Sequence, residues 1–298
     1  MADRPERIAG ITGENVDESV VLVTGATDGV GRELALALGR LGATVVAHGR
    51  TTEKVRSLER DLEETAATEF VVHRADFTDL DAVRDLADRV TRDYDALDVV
   101  YNNAAAYFDA GALTDFGVER TITVNHLAPF VLTDRLRDRI ETSGGRVVTT
   151  SSAIHGRASF DFDALESLEE YDGMRAYARS KFANVSFTFA LADRLDHATA
   201  TCFHPGFIPG SGLYRNGSLP VRLAMGVLTI LPPWLVSKVV ANPEDGAAAA
   251  LYLGHSDDVE DITGAYFEGM ERAEAAPETG DESLQRRLWE WSEQFTEG

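Results

Sequence analysis

Short runs rich in β-branched residues alternate with stretches of helical apolar spacing along most of this chain. The runs fall at 20–24 (Val-Val-Leu-Val-Thr), 44–48, 70–74, 97–101, 145–150 and 199–203. They lack the strict apolar–polar alternation of a half-exposed sheet and read as strands buried on both faces. Between them, 32–41, 52–65, 80–94 and 118–140 carry apolar residues at helical spacing, the first stopping at Gly42. Further helices are expected around Tyr177, at 243–253 after Asn242-Pro243, and at 281–295, with Trp289 and Trp291 packing back. Such alternation predicts an α/β fold, a parallel sheet doubly wound with helices on both faces. No repeat, low-complexity tract or linker interrupts it. Residues 1–298 therefore read as one domain, with 1–18 a loose or edge-packed extension.

In an open parallel sheet, ligands bind beyond the carboxyl ends of the strands. After the first strand comes Thr24-Gly-Ala-Thr-Asp-Gly-Val-Gly31, between a strand and a helix, which is the setting a dinucleotide-binding turn requires. Gly25 permits the tight turn. Gly29 and Gly31 let backbone and helix N-terminus approach a pyrophosphate, with Ala26, Thr27, Asp28 and Val30 completing the loop. After the second strand no acidic residue waits for a ribose 2′-hydroxyl. Arg50 and Thr51 stand there instead and suit a 2′-phosphate, which favours NADP over NAD. Asp76 and Phe77 follow the third strand, where an adenine ring would lie. Asn103, Ala104 and Ala105 follow the fourth and leave room for a cofactor. Ser152 follows the fifth, and Pro205, Gly206 and Ile208 follow the sixth.

Tyr177 and Lys181 are four positions apart and share one helix face. An ammonium beside a phenol favours the phenolate, so Lys181 would tune Tyr177 as a proton donor and acceptor. The pair alone is weak, because any amphipathic helix can carry it.

Taken together, Thr24-Gly-x-x-x-Gly-x-Gly31, Asn102-Asn-Ala-Ala105, Asn125, Ser152, Tyr177-x-x-x-Lys181 and Pro205-Gly206 resemble the short-chain dehydrogenase/reductase family in its single-domain form, in family order over roughly residues 20 to 270. Val124-Asn-His-Leu127, Tyr177-Ala-Arg-Ser-Lys-Phe-Ala-Asn184, His204-Pro-Gly206, Gly264-Ala-Tyr-Phe267 and Leu288-Trp-Glu290 resemble its retinol dehydrogenase and light-dependent protochlorophyllide reductase branch. The resemblance implies a Rossmann-type sheet of about seven strands and NADP(H)-dependent hydride transfer to or from an apolar carbonyl or alcohol. It implies that Tyr177 handles the substrate proton, Lys181 lowers its pKa and holds the nicotinamide ribose, and Ser152 bonds the substrate oxygen. Asn125 would support a water leading from Lys181 to solvent.

Departures from the family pattern are Ala105 for a glycine, Gly210 for a threonine that holds the carboxamide, with Ser211 next to it, and an acidic segment at 161–173 lengthening the path from Ser152 to Tyr177. The family's substrate lid would correspond to 207–240, whose apolar centre at 223–236 implies an apolar ligand. The competing membrane-surface helix lacks a basic polar face, although Arg222 and Lys238 flank it. A non-catalytic redox sensor of the same fold should have lost members of the catalytic set, and Ser152, Tyr177 and Lys181 are all present. A sugar-nucleotide-modifying enzyme is the rival among enzymes, but the glycine spacing and modest length fit it less well. The resemblance admits both a homodimer, paired through the helices carrying Asn125 and Tyr177, and a monomer.

Charge narrows the partners further. Fifty Asp and Glu against 28 Lys and Arg give a net charge of −22, which repels nucleic acid and anionic membranes. The single Cys202 excludes an intramolecular disulfide and suits a reducing cytoplasm. No apolar stretch has the length of a signal-peptide core at the N-terminus or of a spanning helix elsewhere. The seven histidines are scattered without metal-ligand spacing, so no metal site is expected. Only three of the basic residues are lysines (Lys54, Lys181 and Lys238), and together with the acidic excess this fits a salt-adapted source. Stability is then expected to rise from low to multimolar KCl, as screening relieves self-repulsion; a flat response in thermal unfolding would contradict salt adaptation.

Overall fold

Alternate residues of the central strands face opposite ways and build two cores, which fixes the layer order. Along β1 (Val20–Val23), Leu22 joins Val46, Val100 and Val147 on one face, while Val21 and Val23 join Val45, Val99 and Val148 on the other. A computed structural model describes residues 3–65, 69–209, 212–219, 221–223, 226 and 240–297. The remaining strands are β2 (Thr44–Gly49), β3 (Phe70–Arg74), β4 (Val99–Asn102), β5 (Arg146–Thr150), β6 (Thr199–His204), β7 (Ala265–Glu268) and β8 (Glu271–Ala273). They form one sheet in the order β3-β2-β1-β4-β5-β6-β7-β8, parallel from β3 to β7. The order reverses between β1 and β4, so this Rossmann-type sheet has its topological switch point there.

The sheet has eight strands among the described residues where about seven were expected. The extra one, β8, is a three-residue antiparallel return from β7, too short and too polar to leave a pattern. The α-helices among the described residues are α1 (Pro5–Ala9), α2 (Gly29–Leu41), α3 (Thr52–Thr65), α4 (Leu80–Asp93), α5 (Arg120–Ile122), α6 (Ala128–Ser143), α7 (Gly173–Ala192), α8 (Pro243–His255) and α9 (Glu282–Glu293). The single helix expected over 118–140 is interrupted by a π-turn, Thr123–Leu127, between α5 and α6. Pro129 lacks an N–H and cannot bond back into that turn, which favours the wider winding.

Residues 5–18 are not loose. Ile11 and Val16 are buried, and Arg40 of α2 makes two 2.8 Å bonds to the Glu6 carboxylate of α1. Trp289 packs back as expected, edge-on to Phe130 and stacked with Phe187. Cys202 is a buried packing residue whose thiol is pushed up to about 12 by burial, which keeps it protonated. Most of the apolar stretch at 223–236, and the Gly210–Ser211 pair, lie outside the described residues. Among the described residues, no helix is long and apolar enough to cross a membrane.

Three histidines are enclosed by this packing. Burial disfavours the imidazolium and holds His48 at about 4, His126 at about 3 and His255 at about 4. In the unfolded chain these groups titrate near 6.5. The unfolded state therefore binds more protons below that value, so their contribution to stability is full above about 6.5 and is lost as pH falls toward 3 to 4. Replacing His126 by Gln is expected to reduce the slope of unfolding free energy between about pH 6.5 and 4.5 by about 1 kcal/mol per pH unit. Urea titrations of both proteins across that range check this, and an identical slope would contradict it.

Candidate active site and cofactor cleft

The turn after β1 is pressed against the end of β4 at the switch point. Thr24 Oγ1 donates to Tyr101 O at 3.1 Å and accepts the backbone N–H groups of Asn103 and Ala104 at 3.0 Å each. Asn103 Nδ2 returns a 2.9 Å bond to Thr24 O. Gly25 has φ +66°, and a Cβ there would come within 2.8 Å of Ala104 Cα. A Cβ on Gly31 would run into Asn103 and the Gly25 carbonyl. Both glycines are thus required by close approach. Asp28 is the N-cap of α2 but sends no side-chain bond to the first turn. The first N–H groups of α2 are left to the cleft, where Gly29 and Val30 form part of the wall.

The cleft, with a volume of about 210 Å³, runs over the carboxyl ends of the strands. Of the residues singled out from sequence, Gly25, Thr27, Asp28, Gly29, Val30, Arg50, Asp76, Phe77, Asn103, Ala104, Ala105, Ser152, Tyr177, Lys181, Pro205, Gly206 and Ile208 line it. Ala26, Gly31, Thr51 and Asn125 do not. Ala26 is fully buried beneath the turn, and its N–H donates to His48 O. Thr51 caps α3 through its carbonyl, which accepts Val55 N–H.

Asn125 sits in the π-turn and is fully buried. Its Oδ1 accepts Ala106 N–H at 2.8 Å, and its Nδ2 donates to Ala106 O and to Ser180 Oγ at 3.0 and 2.9 Å. Both amide ends are engaged with protein, so Asn125 clamps the chain after β4 to α7.

At the end of the cleft formed by β2 and β3, the Phe77 ring stacks on His48 at 4.1 Å. His48 accepts Gly25 N–H at Nδ1 (3.3 Å) and therefore donates from Nε2 to Ala75 O (3.1 Å). Burial keeps this imidazole neutral. Its place at the end of β2 was the only sequence signal of a role here. Arg50, by contrast, has no ion-pair partner among the described residues. Two other cations that the sequence reading missed, Lys54 and Arg215, both pair with Asp28, Arg215 at 3.1 Å. On a chain of net charge −22, Arg50, Lys54 and Arg215 concentrate positive charge around this end of the cleft.

At the other end, α7 carries Tyr177 and Lys181 into the cleft beside Ser152. The Ser152 hydroxyl faces the Tyr177 phenol and draws its pKa down. Lys181 Nζ donates to Thr150 O at 2.8 Å and lies 5.7 Å from the Tyr177 ring centroid. The expected lowering of the phenol's pKa by Lys181 does not appear. Burial, and next the neighbouring Tyr214, push the phenol up, and Ser152 alone acts against them. Lys181 is itself buried and is held at about 7, so at neutral pH it is only half charged. Phe207, Leu213 and Tyr214 give the adjoining wall an apolar character. Among the described residues no cluster of His, Cys, Asp or Glu could hold a metal ion.

The arrangement can hold an extended anionic cofactor along the turn and present a phenol to a reacting oxygen. Comparison with known proteins gives the same frame. Residues 19–214 match the family model described as short chain dehydrogenase. Human retinol dehydrogenase 14 is 34% identical over 290 residues, covering 92% of this chain and 84% of its own. A solved structure of an uncharacterized protein from Mycobacterium paratuberculosis superposes with a TM-score of 0.72 at 27% identity, covering 96% of this chain and 97% of that one. A short chain dehydrogenase from Shigella flexneri 2a, solved in complex with NADP, gives 0.64 at 26% identity, covering 87% of this chain and 100% of that one. This chain belongs to the short-chain dehydrogenase/reductase family.

Proposed function

We propose that this oxidoreductase uses NADP(H) to interconvert an apolar carbonyl compound and its alcohol, with Tyr177 as general acid and base. The observation that carries the reading is the convergence of the Tyr177 phenol, Ser152 and Lys181 in the one cleft that the glycine turn also lines. Bound nicotinamide would supply or accept the hydride. The close-packed turn at Gly25 and Gly31 and the uncapped first turn of α2 suit its pyrophosphate, and Arg50 suits the 2′-phosphate.

Tyr177 Oη handles the matching proton. Because burial raises its pKa, the phenol is protonated through the neutral range and serves as the donor when a carbonyl oxygen gains negative charge. Ser152 Oγ, beside it, donates a hydrogen bond to the same oxygen and stabilises the developing charge. Lys181 Nζ, anchored on Thr150 O, would hold a ribose hydroxyl and pass a proton at neutral pH. Phe207, Leu213 and Tyr214 exclude water and favour an apolar substrate. The retinol dehydrogenase relative supports a substrate of that class. The buried Cys202 and the acidic surface support a reducing, salt-rich cytoplasm as the setting.

Tyr177→Phe is expected to lower kcat by about 10²- to 10⁴-fold with apolar aldehydes and ketones, the range for a lost general acid, while NADPH binding is unchanged. Retained turnover in stopped assays would remove Tyr177 from the role. Arg50→Glu is expected to raise the KM for NADPH roughly 10- to 100-fold, as the loss of about 1.5–3 kcal/mol of charge-assisted bonding implies, with little effect on NADH. Steady-state kinetics with both cofactors check this, and an equal effect on the two would contradict 2′-phosphate recognition.

A further inference from the structure

Ser152 is weakly held by its own side chain. Among the described residues its Oγ makes only a long 3.5 Å bond, from Ile154 N–H. Where that hydroxyl points is set by the backbone, and the backbone at Ser152 is held from behind by His155. His155 lies in the short 3₁₀ turn Ala153–Arg157 that Ser152 caps, is buried to 4% exposure, and does not line the cleft. Its ring packs 4.8 Å from that of Tyr266 on β7.

Two bonds fix the ring's proton. The backbone N–H of Ala276 donates to His155 Nε2 at 3.0 Å, so Nε2 carries a lone pair. The proton then resides on Nδ1, which donates to the carbonyl oxygen of Ser152 at 2.8 Å. The same carbonyl also accepts the backbone N–H of His155 at 3.0 Å. Ala276 is anchored in turn. Its carbonyl accepts Thr279 Oγ1–H at 2.6 Å, and Gln285 of α9 donates to Thr279 O at 2.8 Å. A continuous line of hydrogen bonds thus runs from α9, through the segment after β8, to the peptide of Ser152.

We infer that His155 is a positioning residue: a neutral imidazole with its proton on Nδ1, which locks the Ser152 peptide and thereby keeps the Ser152 hydroxyl at the Tyr177 side of the cleft. The inference rests on the reading of Ser152 and Tyr177 as the pair that meets the substrate oxygen. The position needs one donor and one acceptor on opposite edges of a flat, rigid group. Asn reproduces the donor near Nδ1, and the longer Gln reproduces the acceptor near Nε2. Neither reproduces both.

The test compares His155→Asn, His155→Gln and His155→Ala with the parent protein, using NADPH and a carbonyl substrate the parent turns over at high salt. A displaced hydroxyl is expected to lower kcat about 10- to 100-fold in the Gln and Ala variants, while Asn, which keeps the bond to Ser152 O, stays near the parent. KM for NADPH and the thermal midpoint of the Asn and Gln variants should match each other. Equal losses in Asn and Gln, or an effect confined to KM, would overturn the inference. Should the Ala variant fail to fold, the Asn–Gln comparison still decides.

A second readout needs no substrate. Long-range ¹H–¹⁵N spectra of the imidazole are expected to show a neutral His155 protonated on Nδ1, and a proton on Nε2 would overturn the inference. A parent protein inactive on the whole carbonyl panel would count against the proposed function, and the imidazole spectrum would still decide the placement of His155.

Discussion

The hydroxyl of Thr24 is the point on which the site depends. It joins three backbone groups at the switch between β1 and β4, donating to Tyr101 O and accepting from Asn103 and Ala104. Because the sheet order reverses there, the chain leaves β1 and β4 toward opposite faces and opens a crevice. A crevice alone is only a gap. The Thr24 bonds and the side chain–free surfaces of Gly25 and Gly31 draw the two strand ends together, so that α2 starts at the floor of the gap with its N–H groups unspent. Everything farther along the cleft, from Arg50 to Tyr177, is measured from that floor.

Much of this was legible in the chain because its signal is local. Buried parallel strands leave β-branched runs, and a phosphate-binding turn leaves glycines at fixed offsets. The i, i+4 spacing of Tyr177 and Lys181 puts both on one face of α7. What was not legible depends on distance in space. Asn125 is visible as a residue, but its engagement with Ala106 and Ser180 follows from a π-turn that periodicity cannot reveal. The pairing of Asp28 with Lys54 and Arg215 joins residues up to 187 positions apart. His48 reads as an ordinary strand residue until Phe77 is seen lying flat against it.

The tuning of Tyr177 separates a family expectation from the physics of this cleft. A neighbouring ammonium lowers a phenol's pKa only while it is charged and close. Lys181 is 5.7 Å from the ring centroid, held to about 7 by burial, and committed to Thr150 O. Desolvation therefore outweighs attraction, and the phenol keeps its proton.

The helix that carries this pair also sets how readily the site opens. α7 is enclosed along nearly its whole length, with Tyr177, Ser180, Lys181, Asn184 and Ser186 all buried and Phe182 and Phe187 packed against neighbouring rings. A helix so enclosed opens only at a free energy near that of global unfolding, so its central amides are expected to be among the slowest in the molecule to exchange with solvent.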